Sequence, residues 1–89
     1  MVALTPQDVA KNFEDGMKLI DRKDYTKAAE SLKKAAEYGH AEAQFYLAGM
    51  YADGQGIKKD YQQAMHWYRK VADQGFAEAQ FNLGVMYYK

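Results

Sequence analysis

The chain has 89 residues, enough for one small domain, and its 12 basic and 12 acidic side chains cancel. A neutral balance argues against an electrostatic binder of nucleic acid or anionic membrane, and the absence of cysteine excludes disulfides and thiolate metal sites. No apolar run approaches the ~20 residues of a membrane helix, and Met1-Val2-Ala3-Leu4-Thr5-Pro6 lacks the basic and apolar regions of a signal peptide, so no membrane insertion is expected and the compartment is left open. Alanine is the commonest residue and Pro6 the only proline, a balance that favours helices. With eight tyrosines and few branched aliphatics, the core must be built from alanines facing large rings.

The first helix is predicted to start at Thr5-Pro6-Gln7-Asp8: Thr5 is a good N-cap, Pro6 suits the first helical position and Asp8 can close a capping box. Val9, Phe13, Met17 and Ile20 follow at helical spacing. After the polar turn Asp21-Arg22-Lys23, Asp24 caps a second helix whose stripe is Ala28, Leu32, Ala35 and Ala36, and Gly39 stops it. A third helix is predicted over Ala41 to Ala52. The loop Asp53-Gly54-Gln55-Gly56 leads to Asp60, with Gln63 three residues on, a second capping-box pattern. Ala64, Trp67, Tyr68, Val71 and Ala72 mark the fourth helix, Gly75 stops it, and a fifth runs from Ala77 to the end.

The same residues recur at a fixed shift. Ala41-Glu42-Ala43-Gln44-Phe45 returns 36 residues later as Ala77-Glu78-Ala79-Gln80-Phe81. The shift also carries Leu47 to Leu83, Met50-Tyr51 to Met86-Tyr87, Asp24-Tyr25 to Asp60-Tyr61, Ala28 to Ala64, Lys34 to Lys70, Ala36 to Ala72 and Gly39 to Gly75. A period of this length means stacked supersecondary units. Two helices per unit give the order A-B-A-B-A, two hairpins and an unpaired A helix.

Ala41-Glu42-Ala43-Gln44-Phe45-Tyr46-Leu47, Met50-Tyr51, Gly54-Gln55-Gly56-Ile57, Asp60-Tyr61, Ala64, Trp67-Tyr68, Lys70, Ala72 and Gly75 closely resemble the Sel-1-like repeat. That repeat is a variant of the tetratricopeptide repeat with a longer, glycine-containing loop. The pattern departs at Ala48, where the family has the glycine seen at Gly84. In the first unit four residues separate Leu19 from Asp24, whereas eight separate Tyr51 from Asp60. With its shorter turn and Gly16, that unit is more similar to an ordinary tetratricopeptide unit. The resemblance implies an all-α, right-handed α-solenoid of antiparallel helical hairpins, about five helices forming one repeat domain over residues 1–89. Its parts are a tetratricopeptide-like hairpin (5–39), a Sel-1-like repeat (41–75) and a half repeat (77–89). It also implies a protein–protein interaction scaffold or adaptor rather than an enzyme, with no cofactor.

Three motifs touch on other chemistry. Ser31-Leu32-Lys33-Lys34 fits the Ser-x-x-Lys pattern of acyl enzymes, but the Ser-Asp-Asn and Lys-Thr-Gly partner motifs are missing from the sequence; an acyl enzyme using Ser31 and Lys34 is carried as an alternative beside a helix-surface serine. Gly54-Gln55-Gly56 lacks the further residues of a dinucleotide or phosphate-binding loop and reads as the repeat loop. That loop is expected to tolerate insertion, since lengthening a loop costs little entropy. His40 and His66 have no companion at metal-ligand spacing, so no metal site is expected.

Phe13, Phe45 and Phe81 occupy equivalent places on successive A helices. The resemblance implies that A helices line the concave face, so these rings point into a groove for a protein or peptide, with Met17, Val85 and Tyr88 as further anchors. Gap filling between neighbouring A helices would need the same rings. Tyr46 and Asn82 can add hydrogen bonds; Asn82 matches an asparagine that some tetratricopeptide grooves use to hold a peptide carboxylate. Leu83, Met86 and Tyr87 match Leu47, Met50 and Tyr51 but have no following helix to pack against. This stripe is the expected surface for self-association, and a purely structural or designed repeat fragment that assembles through it is the other reading.

Overall fold

The computed structural model describes residues 3–88, with Met1, Val2 and Lys89 outside the described residues. The described residues form five helices: α1 (Pro6–Asp21), α2 (Tyr25–Glu37), α3 (Ala41–Asp53), α4 (Tyr61–Asp73) and α5 (Ala77–Tyr88). The first four start where a side chain can satisfy free N–H groups. Thr5 accepts from the Asp8 N–H at 3.1 Å while the Asp8 carboxylate accepts from the Thr5 N–H at 3.1 Å, the full capping box. Asp24 accepts from Lys27 N–H. Asp60 accepts from the N–H groups of Gln62 and Gln63 at 3.0 and 3.2 Å, but among the described residues the Gln63 side chain makes no return bond. The box expected there is half built, because an exposed glutamine is already hydrated. Gly39 and its counterpart Gly75 turn left-handed, at φ 90° and 93°, after α2 and α4.

Helices adjacent in sequence are adjacent in space, α1 on α2 through α4 on α5, in a body of 40 × 26 × 23 Å. The core is the expected mixture of small and large. Ala28, Ala35, Ala43, Ala48, Ala64 and Ala79 are fully buried beside Leu32, Leu47 and Val71, with Trp67 and Tyr68 closing it from α4. Small residues let the helices approach. A methyl at Gly16 would sit 2.8 Å from the Leu32 side chain, and Ala48 fills the corresponding place on α3.

The α3–α4 loop is not the free connection expected from its length. Gly56 stands at φ +74° and its α-carbon faces the backbone carbonyl of Tyr25 at the start of α2. Ile57 packs against the core. Inserting residues after Gln55 would push both out of place, and that cost is packing, which loop entropy leaves out.

Candidate functional site

α1, α3 and α5 carry the rings singled out in the sequence. Phe13 on α1 is half-buried and stacks on the His40 ring, centroids 4.5 Å apart. It also lies 6.3 Å from Tyr46 on α3. Tyr46 meets Phe45 edge to face at 5.8 Å, and Phe45 meets the Tyr68 ring of α4 the same way at 5.8 Å. A continuous string of rings therefore crosses from α1 over α3 to α4, and part of its role is to fill the seams between helices. Met17 is half-buried on α1.

On α5 the side chains are more open. Phe81 is 71 % exposed and Tyr88 94 %. Phe81, Asn82 and Val85 share a hollow of about 300 Å³ with Ala52, Tyr68 and Met86, so one part of the expected groove is gathered in one place. Phe45 and Phe81 are equivalent in sequence and differ in burial because Phe45 has the Tyr68 ring to lie against, whereas no helix follows α5 within the described residues. Leu83 and Met86 are half-buried against the core. Tyr87 is exposed, and its hydroxyl accepts from the Arg69 guanidinium, which also lies over the ring at 5.8 Å. A second hollow, of about 410 Å³, opens between α3 and the start of α5, lined by Glu42, Phe45, Tyr46, Phe76, Ala77 and Glu78.

Burial raises the Tyr68 phenol above its ordinary value of 10.0; the neighbouring Asn82 side chain pulls it down and the Asp53 carboxylate adds to the rise. Asn82 thus belongs to the surroundings of Tyr68 as well as to the hollow beside it.

Two polar residues matter that pattern reasoning passes over. Gln44, 4 % exposed, donates to the Ala36 carbonyl at 3.0 Å and accepts from the Gln74 side chain at 3.0 Å. Gln80 repeats the first bond, donating to Ala72 at 3.2 Å. The signal for both is the glutamine that recurs inside each Ala-Glu-Ala-Gln-Phe stretch. His40 is the N-cap of α3, its Nδ1 accepting from Ala43 N–H at 3.1 Å, a bond that requires the tautomer with Nδ1 unprotonated.

Ser31 and Lys34 do not meet in one cleft. Ser31 edges a shallow hollow with Asp15, Lys18, Leu19 and Arg22, and Lys34 lines a different one with Leu4, Asp8 and Tyr38. Among the described residues no group of three or more histidine, aspartate or glutamate side chains could hold a metal ion, and no helix is long and apolar enough to cross a membrane.

Small-residue seams, glutamine bonds from one hairpin to the next and a face strung with rings define an α-solenoid repeat module. The chain belongs to the Sel1 repeat family: the family model, described as Sel1 repeat, matches residues 7–40, 41–76 and 77–89. The first match spans α1 and α2, the hairpin with the short turn. Two solved structures show the same architecture. One is c5321, a protective antigen present in uropathogenic Escherichia coli strains and displaying an SLR fold, with 38% identity and a TM-score of 0.84 over 90% of this chain and 18% of that one. The other is a Sel1 repeat protein from Oxalobacter formigenes, with 36% identity and a TM-score of 0.81 over 93% of this chain and 37% of that one. The chain thus spans well under half the length of either. No curated protein matches the sequence. Sel1 repeats are in general protein–protein interaction modules and typically not enzymes, and this chain is a helical repeat of that family.

Proposed function

We propose that the chain holds a segment of a partner protein across the face made by its A helices, from Phe13 on α1 past Tyr46 on α3 to Phe81 and Val85 on α5. The observation that carries this is the unbroken run of rings from Phe13 through Tyr46 to Phe45, continued on α5 by an exposed phenylalanine beside a hollow. A helix-lined surface with apolar anchors at repeat spacing suits an extended or helical peptide, and exposed aromatic anchors are where binding energy concentrates. The test is selection of peptides from a displayed library, followed by affinity measurements on Phe81→Ala and Tyr46→Ala. Both residues are exposed, so the variants should keep the helical circular dichroism. Removing an anchor should weaken binding by about 30-fold, the size of a hot-spot loss of 2 kcal/mol. Selected peptides that bind both variants as well as the parent, or a library that yields no binder, would overturn the reading.

A second reading is favoured by α5 itself: a copy of the chain covers Phe81, Val85, Tyr87 and Tyr88, all exposed. Leu83 and Met86, from the stripe expected to mediate this contact, are already half-covered by the core and would contribute less. Both readings use Phe81, Val85 and Tyr88, so partner binding and self-association would compete.

A further inference from the structure

The two seams between A helices carry equivalent residues but are closed differently. In the first, Phe13 of α1 stacks on His40 at the start of α3, 4.5 Å apart and 24° from parallel. In the second, the same places are held by Phe45 and, 36 residues after His40, by Phe76. Here Phe45 turns to the Tyr68 ring of α4 instead. The counterpart of Tyr68 in the first hairpin is Leu32, which offers no ring to divert Phe13. With Phe45 drawn away, Phe76 is left at the rim of an open hollow of about 410 Å³, within the ~300–1,000 Å³ range of ligand pockets.

The chemistry of that hollow is specific. Phe45, Tyr46 and Phe76 supply rings, and Glu42 and Glu78 supply carboxylates; among the described residues no basic side chain lines it. The electron-rich faces of aromatic rings attract cations within ~6 Å. Carboxylates beside them add a charged partner for the same group, whereas an anion would be repelled by both and a purely apolar group would match the rings but leave the carboxylates without a partner. We infer that the hollow between α3 and α5 receives the cationic end of an arginine or lysine side chain of the bound partner. This rests on the reading that the A-helix face holds a partner segment, and it specifies a basic residue placed to reach between Tyr46 and Phe76.

The experiment is a nuclear magnetic resonance titration of the ¹⁵N-labelled full chain with N-acetyl-arginine amide and, separately, with N-acetyl-citrulline amide, which has nearly the same shape and no charge. The arginine probe should shift the amides of Glu42, Tyr46, Phe76 and Glu78, and the citrulline probe should leave them in place. The double variant E42Q/E78Q, isosteric and at exposed positions, should keep the remaining spectrum and bind the arginine probe about fivefold more weakly, the loss expected for two partly exposed charge pairs. Raising the salt should narrow that difference. Equal shifts from both probes, or equal affinities of the parent and the double variant, would overturn the inference. If library peptides bind and respond to Phe81→Ala while the arginine probe moves none of the four amides, the cation site falls and the groove stands. If the probe binds at the four amides and no peptide binds, the groove falls and an isolated cation site stands.

Discussion

The side-chain amide of Gln44, in the first turn of α3, donates to the carbonyl of Ala36 in the last turn of α2 at 3.0 Å. The final carbonyls of a helix have no partner within it; the Ala36 carbonyl also accepts from the Gly39 N–H at 3.0 Å, so the Gln44 bond takes its second lone pair and ties α2 to the next hairpin. Gln44→Met keeps the volume and loses the bond to Ala36 together with the one accepted from Gln74. Both partners keep another bond, Ala36 from the Gly39 N–H and Gln74 to the Lys70 carbonyl, so urea unfolding should show the net worth of the two lost bonds, about 0.5–1.5 kcal/mol each. Gln80→Met removes the equivalent bond at an exposed side chain, where water can replace it, and should cost under ~1 kcal/mol. Equal losses would show that burial does not set the difference.

Tyr68 should give the chain a specific alkaline sensitivity. Burial holds its proton to higher pH than the ordinary 10.0, so in the unfolded chain the phenol ionises first. Its contribution to stability is therefore constant below that value and declines as pH rises towards the raised folded value. Tyr68→Phe removes this titration while leaving the other tyrosines in place. Its thermal midpoint should fall less steeply than the parent's between about pH 9 and 11. Tyr68→Ala also strips the edge contact with Phe45 and should cost about 3–5 kcal/mol, melting most of the array.

Gly56 and Gly84 should respond oppositely to alanine. At Gly56 the backbone is left-handed and the new methyl would fall on the Tyr25 carbonyl, well inside contact distance. The loss should exceed ~1 kcal/mol. Gly84 lies within α5 with open space around it, and alanine there should gain up to ~1 kcal/mol from helix propensity. Thermal melts of the two variants separate these outcomes, and a neutral Gly56→Ala would mean that the loop can move off α2.

If α5 pairs with its own copy, sedimentation should show a dimer that grows with concentration and disappears in Tyr88→Glu, whose side chain is 94 % exposed and dispensable for the fold. A parent chain that is monomeric throughout removes this reading. A parent dimer that survives the substitution places the contact elsewhere.

The hairpins are legible in the sequence because their boundaries are written in local chemistry: Thr5, Asp24 and Asp60 cap, Gly39 and Gly75 stop, and the 36-residue shift fixes which positions correspond. The ring positions on A helices are legible for the same reason. What each ring does is not, since that depends on its neighbour across the seam. Phe13 has His40, Phe45 has Tyr68, and Phe81 has only a hollow, although the three occupy one repeat position. The loop hides its role in the same way: its length is visible in the sequence, but the contact of Gly56 with Tyr25, 31 residues earlier, exists only once α2 and α3 are side by side.

The glutamine bonds also decide how the chain comes apart. Gln44 belongs to α3 yet bonds the last turn of α2, and it is held in turn by Gln74 at the end of α4. One side chain therefore joins three helices from two hairpins, and neither hairpin can open at that end without disturbing the other. α5 lies mainly against α4, held by the Gln80 bond at its first turn and, towards its carboxyl end, by the exposed contact between Tyr87 and Arg69, which water can replace. Thermal breathing should peel α5 back from its carboxyl end first and reach the α2–α3–α4 junction last. The helix that carries the exposed anchors would then be the one the rest of the molecule holds most loosely, free to be ordered by whatever binds it.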